Sequence, residues 1–275
     1  TEREIDPATY LHEDSMRYIV LERGLSMAIY GMHAERQLPL ETYFGFTIFK
    51  NGLPISYGGM WVFGNRSKVG FNIFEPYRGG ESGYALCQLL RVFKQLFHIS
   101  YFEVEPFQFG ADNEDAIASG AFWFYYKFGF RPVDTAIAEQ AKFEYQKIKT
   151  RKNYRSSAKT LVSFTEGNIA LNLGNSIPAD VSLISAKVLS QIKKDWKNNY
   201  LHARKLAVES FCSNVQLKVG DLSKPEIKIL EDIALWAMTL QITDKQKLQL
   251  MKQMIFKSTA DIYAYQQLLR KFFEK

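Results

Sequence analysis

Apolar residues in the first forty positions recur at spacings that predict a helix over 14–33, with Met16, Ile19, Val20, Leu25, Met27 and Ile29 available for its buried face. From Tyr43 the period changes to two. The run Tyr43-Phe44-Gly45-Phe46-Thr47-Ile48-Phe49 is aromatic and β-branched, and Asn51-Gly52 supplies the positive φ angles of a tight hairpin turn. The return strand, 55–63, contains Gly58-Gly59, a signal for a bulge or a close backbone approach. A further turn at Gly64-Asn65-Arg66 leads to a third strand over 68–74, which completes an antiparallel meander. A helix predicted over 83–97 gathers Leu86, Leu89, Leu90, Phe93 and Leu96 on one face. Residues 101–105 then alternate as a strand that puts Glu103 and Glu105 on the same side. A helix from Asn113 to Lys127 follows, and Gly129 fits its stop.

Beyond Pro132 the pattern is mainly helical. Helices are predicted over 135–147, 154–164, 181–192, 196–211, 224–240, 245–256 and 260–273, with one short strand over 169–173 and breaks at Gly220 and Pro225. Ile227, Leu230, Ile233, Ala234, Ala237 and Met238 recur at the spacing of a buried helix face, and this half carries no catalytic motif. The expected fold class is α/β (α+β): a mixed, mostly antiparallel sheet flanked by helices, with a mainly helical C-terminal region. Three parts are expected: a sheet-bearing domain over 1–135, a basic linker with a helix and a short strand over 136–178, and a helical region over 179–275.

Composition narrows the class without naming a chemistry. The chain has 275 residues and 47% hydrophobic content, enough to bury a large core in one elaborated domain or two. No apolar run approaches the roughly 18 residues of a membrane span, and no secretory signal pattern stands at the start, so a reducing cytoplasm is the expected setting. The sequence opens on Thr1 rather than Met, as expected of a processed chain or one cut from a longer protein. Cys87 and Cys212 form no disulfide framework, and His12, His33, His98 and His202 show no ligand spacing, so no metal is expected. Charge is uneven: 12 Lys and Arg face 16 Asp and Glu over 1–134, net −4, against 23 and 13 over 135–275, net +10. Seven cations between Lys142 and Lys159, with Glu144 the one acid among them, read as a solvated linker or helix face, or as a docking patch for an acidic protein or a phosphorylated cofactor tail, and less readily for nucleic acid.

The sharpest chemical signal is Phe74-Glu75-Pro76-Tyr77-Arg78-Gly79-Gly80-Glu81-Ser82-Gly83-Tyr84, between the third strand and the helix after it. A strand that empties into a glycine turn and then a helix leaves unpaired N–H groups in one loop, where the helix dipole also favours negative charge. Such a loop suits a phosphate. Arg78-Gly79-Gly80-Glu81-Ser82-Gly83 resembles the pyrophosphate loop of the GNAT acetyltransferase superfamily. Asn113-Glu114-Asp115-Ala116-Ile117, followed by Tyr125-Tyr126-Lys127-Phe128-Gly129-Phe130, is similar to that superfamily's Asn, Ala-Ile, Tyr, Lys, Gly-Phe signature. The resemblance covers about 15–135 and implies a GNAT-like sheet that splays to admit acetyl-CoA or another acyl-CoA.

By that resemblance the backbone of Asn72, Ile73 and Phe74 would pair with the pantetheine arm. Arg78, Gly79, Gly80, Glu81, Ser82, Gly83 and Tyr84 would hold the pyrophosphate, and Asn113 would border the site. Tyr125, with Tyr126 as the second candidate, would protonate the departing thiolate, a task suited to a phenol that stays protonated at neutral pH. Its alternative is an aromatic core position. Glu103 and Glu105 are candidate bases, Glu105 the better placed near the strand's carboxyl end, with plain solvent exposure as the alternative. Two departures from the pattern stand out. Glu81 occupies the position of the first loop glycine, where its carboxylate repels a pyrophosphate unless turned outward. The gap from Asn113 to Tyr125 is longer than usual by about a helical turn, with Ser119-Gly120-Ala121-Phe122-Trp123 in the added length. The implied activity is acyl transfer from acyl-CoA to a small-molecule or peptide amine. The alternatives are a catalytically silent module that docks an acidic partner and an enzyme that draws its acyl group from an acyl carrier protein.

Overall fold

The structure, a computed structural model, describes residues 7–38 and 40–274; Thr1 lies outside the described residues. Eight strands form one sheet in the order β1-β2-β3-β4-β5-β6-β8-β7. They are β1 Arg17–Val20, β2 Leu25–Gly31, β3 Thr42–Lys50, β4 Leu53–Phe63, β5 Arg66–Ile73, β6 Tyr101–Val104, β7 Arg131–Pro132 and β8 Ile169–Asn172. All neighbours are antiparallel except β5 and β6, which α1 (Ser82–Phe97) connects as the crossover that a parallel pair requires. The fold is thus a mixed, mostly antiparallel sheet with flanking helices and a mainly helical C-terminal region, as the residue pattern predicts.

The helix expected over 14–33 is replaced by a hairpin. Strands β1 and β2 are joined through Glu22-Arg23-Gly24-Leu25, with Arg23 at φ +60 and Gly24 at +70, the two positive angles of a tight hairpin turn. Leu25, Met27 and Ile29 are buried at period two, and Met27 faces Ile48 across the β2–β3 pair. The same apolar residues fit a helix, but the strand lets all three meet the core.

The expected helix over 113–127 is also divided. Gly120, at φ +69, separates α2 (Glu114–Ser119) from α3 (Ala121–Lys127), and this break absorbs the added length of the segment. Next come α4 (Thr135–Thr150) and α5 (Ala158–Ser163), the latter shorter than the expected 154–164 because Ser157 Oγ caps it through Thr160 N–H at 3.1 Å. The short strand of the basic middle segment, β8, lies inside the sheet between β6 and β7.

One core fills the space between the sheet and α1, α3 and α4, built on Phe44, Phe46, Leu89, Phe93, Phe102 and Phe122. A second core, around Trp236, Leu230, Ile233 and Met251, joins α6 (Val181–Trp196), α7 (Tyr200–Val215), α8 (Lys224–Thr239), α9 (Lys245–Ala260) and α10 (Ile262–Phe273). Helix α10 fastens the two cores together. Its Tyr263 packs in the first and Tyr265 in the second. Between them the buried Gln266 donates to Thr42 Oγ1 at 2.8 Å and Val62 O at 2.9 Å, and accepts from Gly64 N–H at 3.1 Å.

Candidate functional site

Strands β5 and β6 pair only where Arg66, Ser67 and Lys68 face Tyr101, Phe102 and Glu103. Past that point β5 runs on to Ile73, while β6 gives way to the 3-10 turn Pro106–Phe109, and the strands part. A cleft of about 450 Å³ occupies the gap, bounded by Asn72, Ile73, Phe74, Arg78, Gln108 and Asn113 among others. Main-chain directions alternate along a strand. Phe74 N–H donates to Ile55 O at 3.1 Å and Asn72 O accepts from Ser56 Oγ at 2.7 Å, both toward β4. Of the three residues expected to pair with a ligand arm, Ile73 alone turns its main chain to the cleft; Asn72 and Phe74 contribute side chains. Phe71, which sequence reasoning passed over, shares the direction of Ile73.

The glycine turn is partly engaged within itself. Gly79 N–H donates to Ser82 Oγ at 3.0 Å, Ser82 N–H to Gly79 O at 3.1 Å, and Arg78 N–H to Glu75 O at 3.1 Å. The N–H groups of Gly80, Glu81, Gly83 and Tyr84 have no acceptor among the described residues. At its N-terminus α1 has no side-chain cap, whereas every other helix of twelve or more residues among the described ones carries a side-chain bond there: Asp134 on α4, Asp180 on α6, Asn199 on α7, Ser223 with Glu226 on α8, Asp244 on α9 and Asp261 on α10. A Cβ added at Gly79 or Gly80 would meet nothing within 4 Å, so side chains do not plug the bend. Gly83 has a packing reason instead: a Cβ there would lie 2.4 Å from Phe128 Cζ.

Charged groups from distant positions surround the turn. The Glu81 carboxylate turns to Lys50 Nζ at 3.6 Å, and Lys50 also donates to Arg23 O at 2.6 Å. The Arg23 guanidinium lies over the Tyr84 ring at 4.6 Å, and Arg78 Nε reaches Ile73 O at 3.5 Å. Glu81 Oε2 and Tyr84 Oη are buried without hydrogen-bond partners. Sequence reasoning missed Lys50 and Arg23, which arrive from the end of β3 and from the β1–β2 turn.

The two strand glutamates diverge in role. Glu103 does not reach cleft or solvent: it is 4% exposed, bonded to Arg66 and accepting from Asn168 Nδ2 at 2.8 Å. Glu105 is exposed and pairs with Lys68 Nζ at 3.1 Å, next to where the strands begin to part. Glu41, not singled out by sequence reasoning, stands near Lys68 and Glu105, and loss of solvent raises its pKa above the ordinary glutamate value. Tyr125 lies in the aromatic core against Phe124 and Phe130, 3% exposed and away from the cleft lining, and burial drives its phenol pKa well upward. Tyr126 is buried too, with Arg131 over its ring at 3.8 Å. Asn113 borders the cleft while capping α2, its Oδ1 accepting from Ala116 N–H at 3.1 Å.

In the basic stretch, Lys147 pairs with Glu144 at 2.8 Å, Lys149 lies over Tyr145 and Arg151 over Tyr154, so part of its charge is matched internally. Among the described residues no group of three His, Cys, Asp or Glu could hold a metal ion, and no helix is long and apolar enough to cross a membrane. Cys87 and Cys212 are free thiols.

No family model matches the chain, and no curated protein matches it in sequence. Among solved structures it is similar to the ribosomal-protein-S18-alanine N-acetyltransferase from Escherichia coli, at 17% identity, over 50% of this chain and 75% of that one, with a TM-score of 0.30. A likeness of that size assigns no chemistry, and the parted strands and uncapped helix stand on this chain's own geometry.

Proposed function

We propose that the chain is an acyl-CoA-dependent N-acyltransferase, with acetyl-CoA as the first donor to test and an amine as acceptor. The observation that carries this reading is the uncapped start of α1, where four N–H groups are unengaged in the turn that directly follows Arg78, itself part of the lining of the cleft between β5 and β6. Backbone donors at a helix N-terminus suit a diphosphate, and a strand edge that no neighbouring strand covers suits an extended amide-bearing arm. Arg78, with Lys50 and Arg23 beyond the turn, adds cations that favour the same anion, and Lys50 offsets the charge of Glu81.

In the reaction the neutral amine attacks the thioester carbonyl carbon, the C–S bond breaks, and the ammonium proton passes to Glu105 directly or through water. Water in the open cleft protonates the departing thiolate, because Tyr125 is buried in the aromatic core outside the cleft lining. Tyr125→Phe accordingly leaves turnover and CoA affinity unchanged; slower turnover at equal affinity would bring the phenol into the reaction.

The Glu81 carboxylate in the turn favours a second reading, in which its negative charge keeps an anion out and the domain only docks partners. Thermal unfolding with and without acetyl-CoA separates the two. At about 100 times its dissociation constant a native-state ligand adds roughly 2.7 kcal/mol, a rise of about 5 °C or more for a chain of this size. No shift at millimolar acetyl-CoA overturns the transferase reading.

A further inference from the structure

Of the main-chain groups that β5 turns toward the cleft, the Phe71 N–H is already occupied. Gln108 Oε1 accepts it at 3.2 Å. Gln108 belongs to the 3-10 turn after β6, so its carboxamide spans the gap that the parted strands leave and stands where a neighbouring strand would place a carbonyl. The turn beneath it is rigid. Phe109 is fully buried against Phe122, Gln108 N–H donates to Glu105 O at 3.0 Å, and Gly110 N–H closes back on Pro106 O at 2.9 Å. The side chain has less to hold it: it lines the cleft and is half-buried, and among the described residues its carboxamide makes one hydrogen bond, the one from Phe71 N–H.

We infer that Gln108 is a gate on this strand edge: its carboxamide holds the Phe71 N–H in the free protein, and a carbonyl of the incoming acyl-CoA arm takes that N–H by displacing it. The identity of the displacing group rests on the acyltransferase reading; the gate itself rests on the hydrogen bond and on the half-buried side chain that lines the cleft. A carboxamide suits the task because it offers the strand the same neutral acceptor that an amide or thioester carbonyl offers, so exchange swaps one hydrogen bond for another. Gln108→Ala removes the competitor and frees the donor. Gln108→Glu replaces it with a charged acceptor that grips the N–H harder.

Two measurements on the full chain test this. Hydrogen exchange without ligand reads the gate: Gln108→Ala accelerates exchange at the Phe71 amide roughly 5-fold, the loss of one net hydrogen bond, and leaves the core amides of α1 unchanged. Calorimetric titration with acetyl-CoA reads its displacement. Gln108→Ala tightens binding roughly 3- to 10-fold and Gln108→Glu weakens it, so the three proteins fall in the order Ala, wild type, Glu. Unchanged Phe71 exchange in Gln108→Ala overturns the gate whatever binds, and weaker acetyl-CoA binding by Gln108→Ala overturns displacement, because Gln108 would then be assisting the ligand. Accelerated exchange with no acetyl-CoA bound by any of the three supports the gate and overturns the acyl-CoA reading alone.

Discussion

The helices of the C-terminal region and helix α1 of the sheet region begin in opposite ways. Helices α6 to α10 all begin on a side-chain bond, for example Asp244 Oδ1 accepting from Lys247 N–H at 2.7 Å and Asp261 Oδ1 from Ala264 N–H at 3.0 Å. Helix α1, as long as most of them, begins at a bare glycine turn beside parted strands. A cap is worth about 1 kcal/mol, so leaving it out of one long helix forgoes stability that the helical region takes at every opportunity. The contrast separates a region organised to be closed from one turn that keeps its donors open.

The largest expected effect tests the closed region. Trp236 is fully buried among Phe63, Phe272 and Phe273, and Trp236→Ala costs about 3–5 kcal/mol in urea unfolding. If the helical region is a scaffold alone, variant protein that remains folded still binds acetyl-CoA as the wild type does; lost binding would tie the second core to the cleft. Next is the pair of loop glycines. Gly83→Ala forces Phe128 aside and costs about 1–3 kcal/mol, while Gly80→Ala, in open space, changes stability by less than about 0.5 kcal/mol. Equal costs would mean that the loop is packed rather than open.

The smallest effect is pH-dependent. Desolvation raises the carboxyl pKa of Asp232 from 3.8 to about 6, against the opposing pull of Arg204. The folded state therefore holds more protons between those values, and the stability this gives at low pH is lost as pH rises through about 4 to 6. Asp232→Asn raises stability at pH 8 by about 1–2 kcal/mol after solvent screening and changes little at pH 3.5. A gain of the same size at both pH values would point to packing instead of charge.

Local signals carried much of this fold. The Asn51-Gly52 turn, the buried face of α1 and the helices after Pro178 follow from spacing and turn chemistry that neighbouring residues settle among themselves. Residues 14–33 did not, because Leu25, Met27 and Ile29 satisfy either period and β3 decides between them through pairs such as Met27 with Ile48. Within the site the glycine turn was legible, since strand, glycines and helix are contiguous. Its cationic surroundings were not: Lys50 and Arg23 come from elsewhere in the chain. Glu103 looks like an available carboxylate until Arg66 and Asn168, 37 and 65 residues away, enclose it. Gln108 carries no sequence signal at all, because its role exists only where two strands diverge.

The central claim is that the N–H groups of Gly80, Glu81, Gly83 and Tyr84 are held open for a diphosphate. Hydrogen exchange at these four amides, followed with and without saturating acetyl-CoA, tests it most directly. The account predicts rapid exchange in the free protein and strong protection in the complex. Protection already present without ligand, or rapid exchange that acetyl-CoA leaves unchanged, would contradict it.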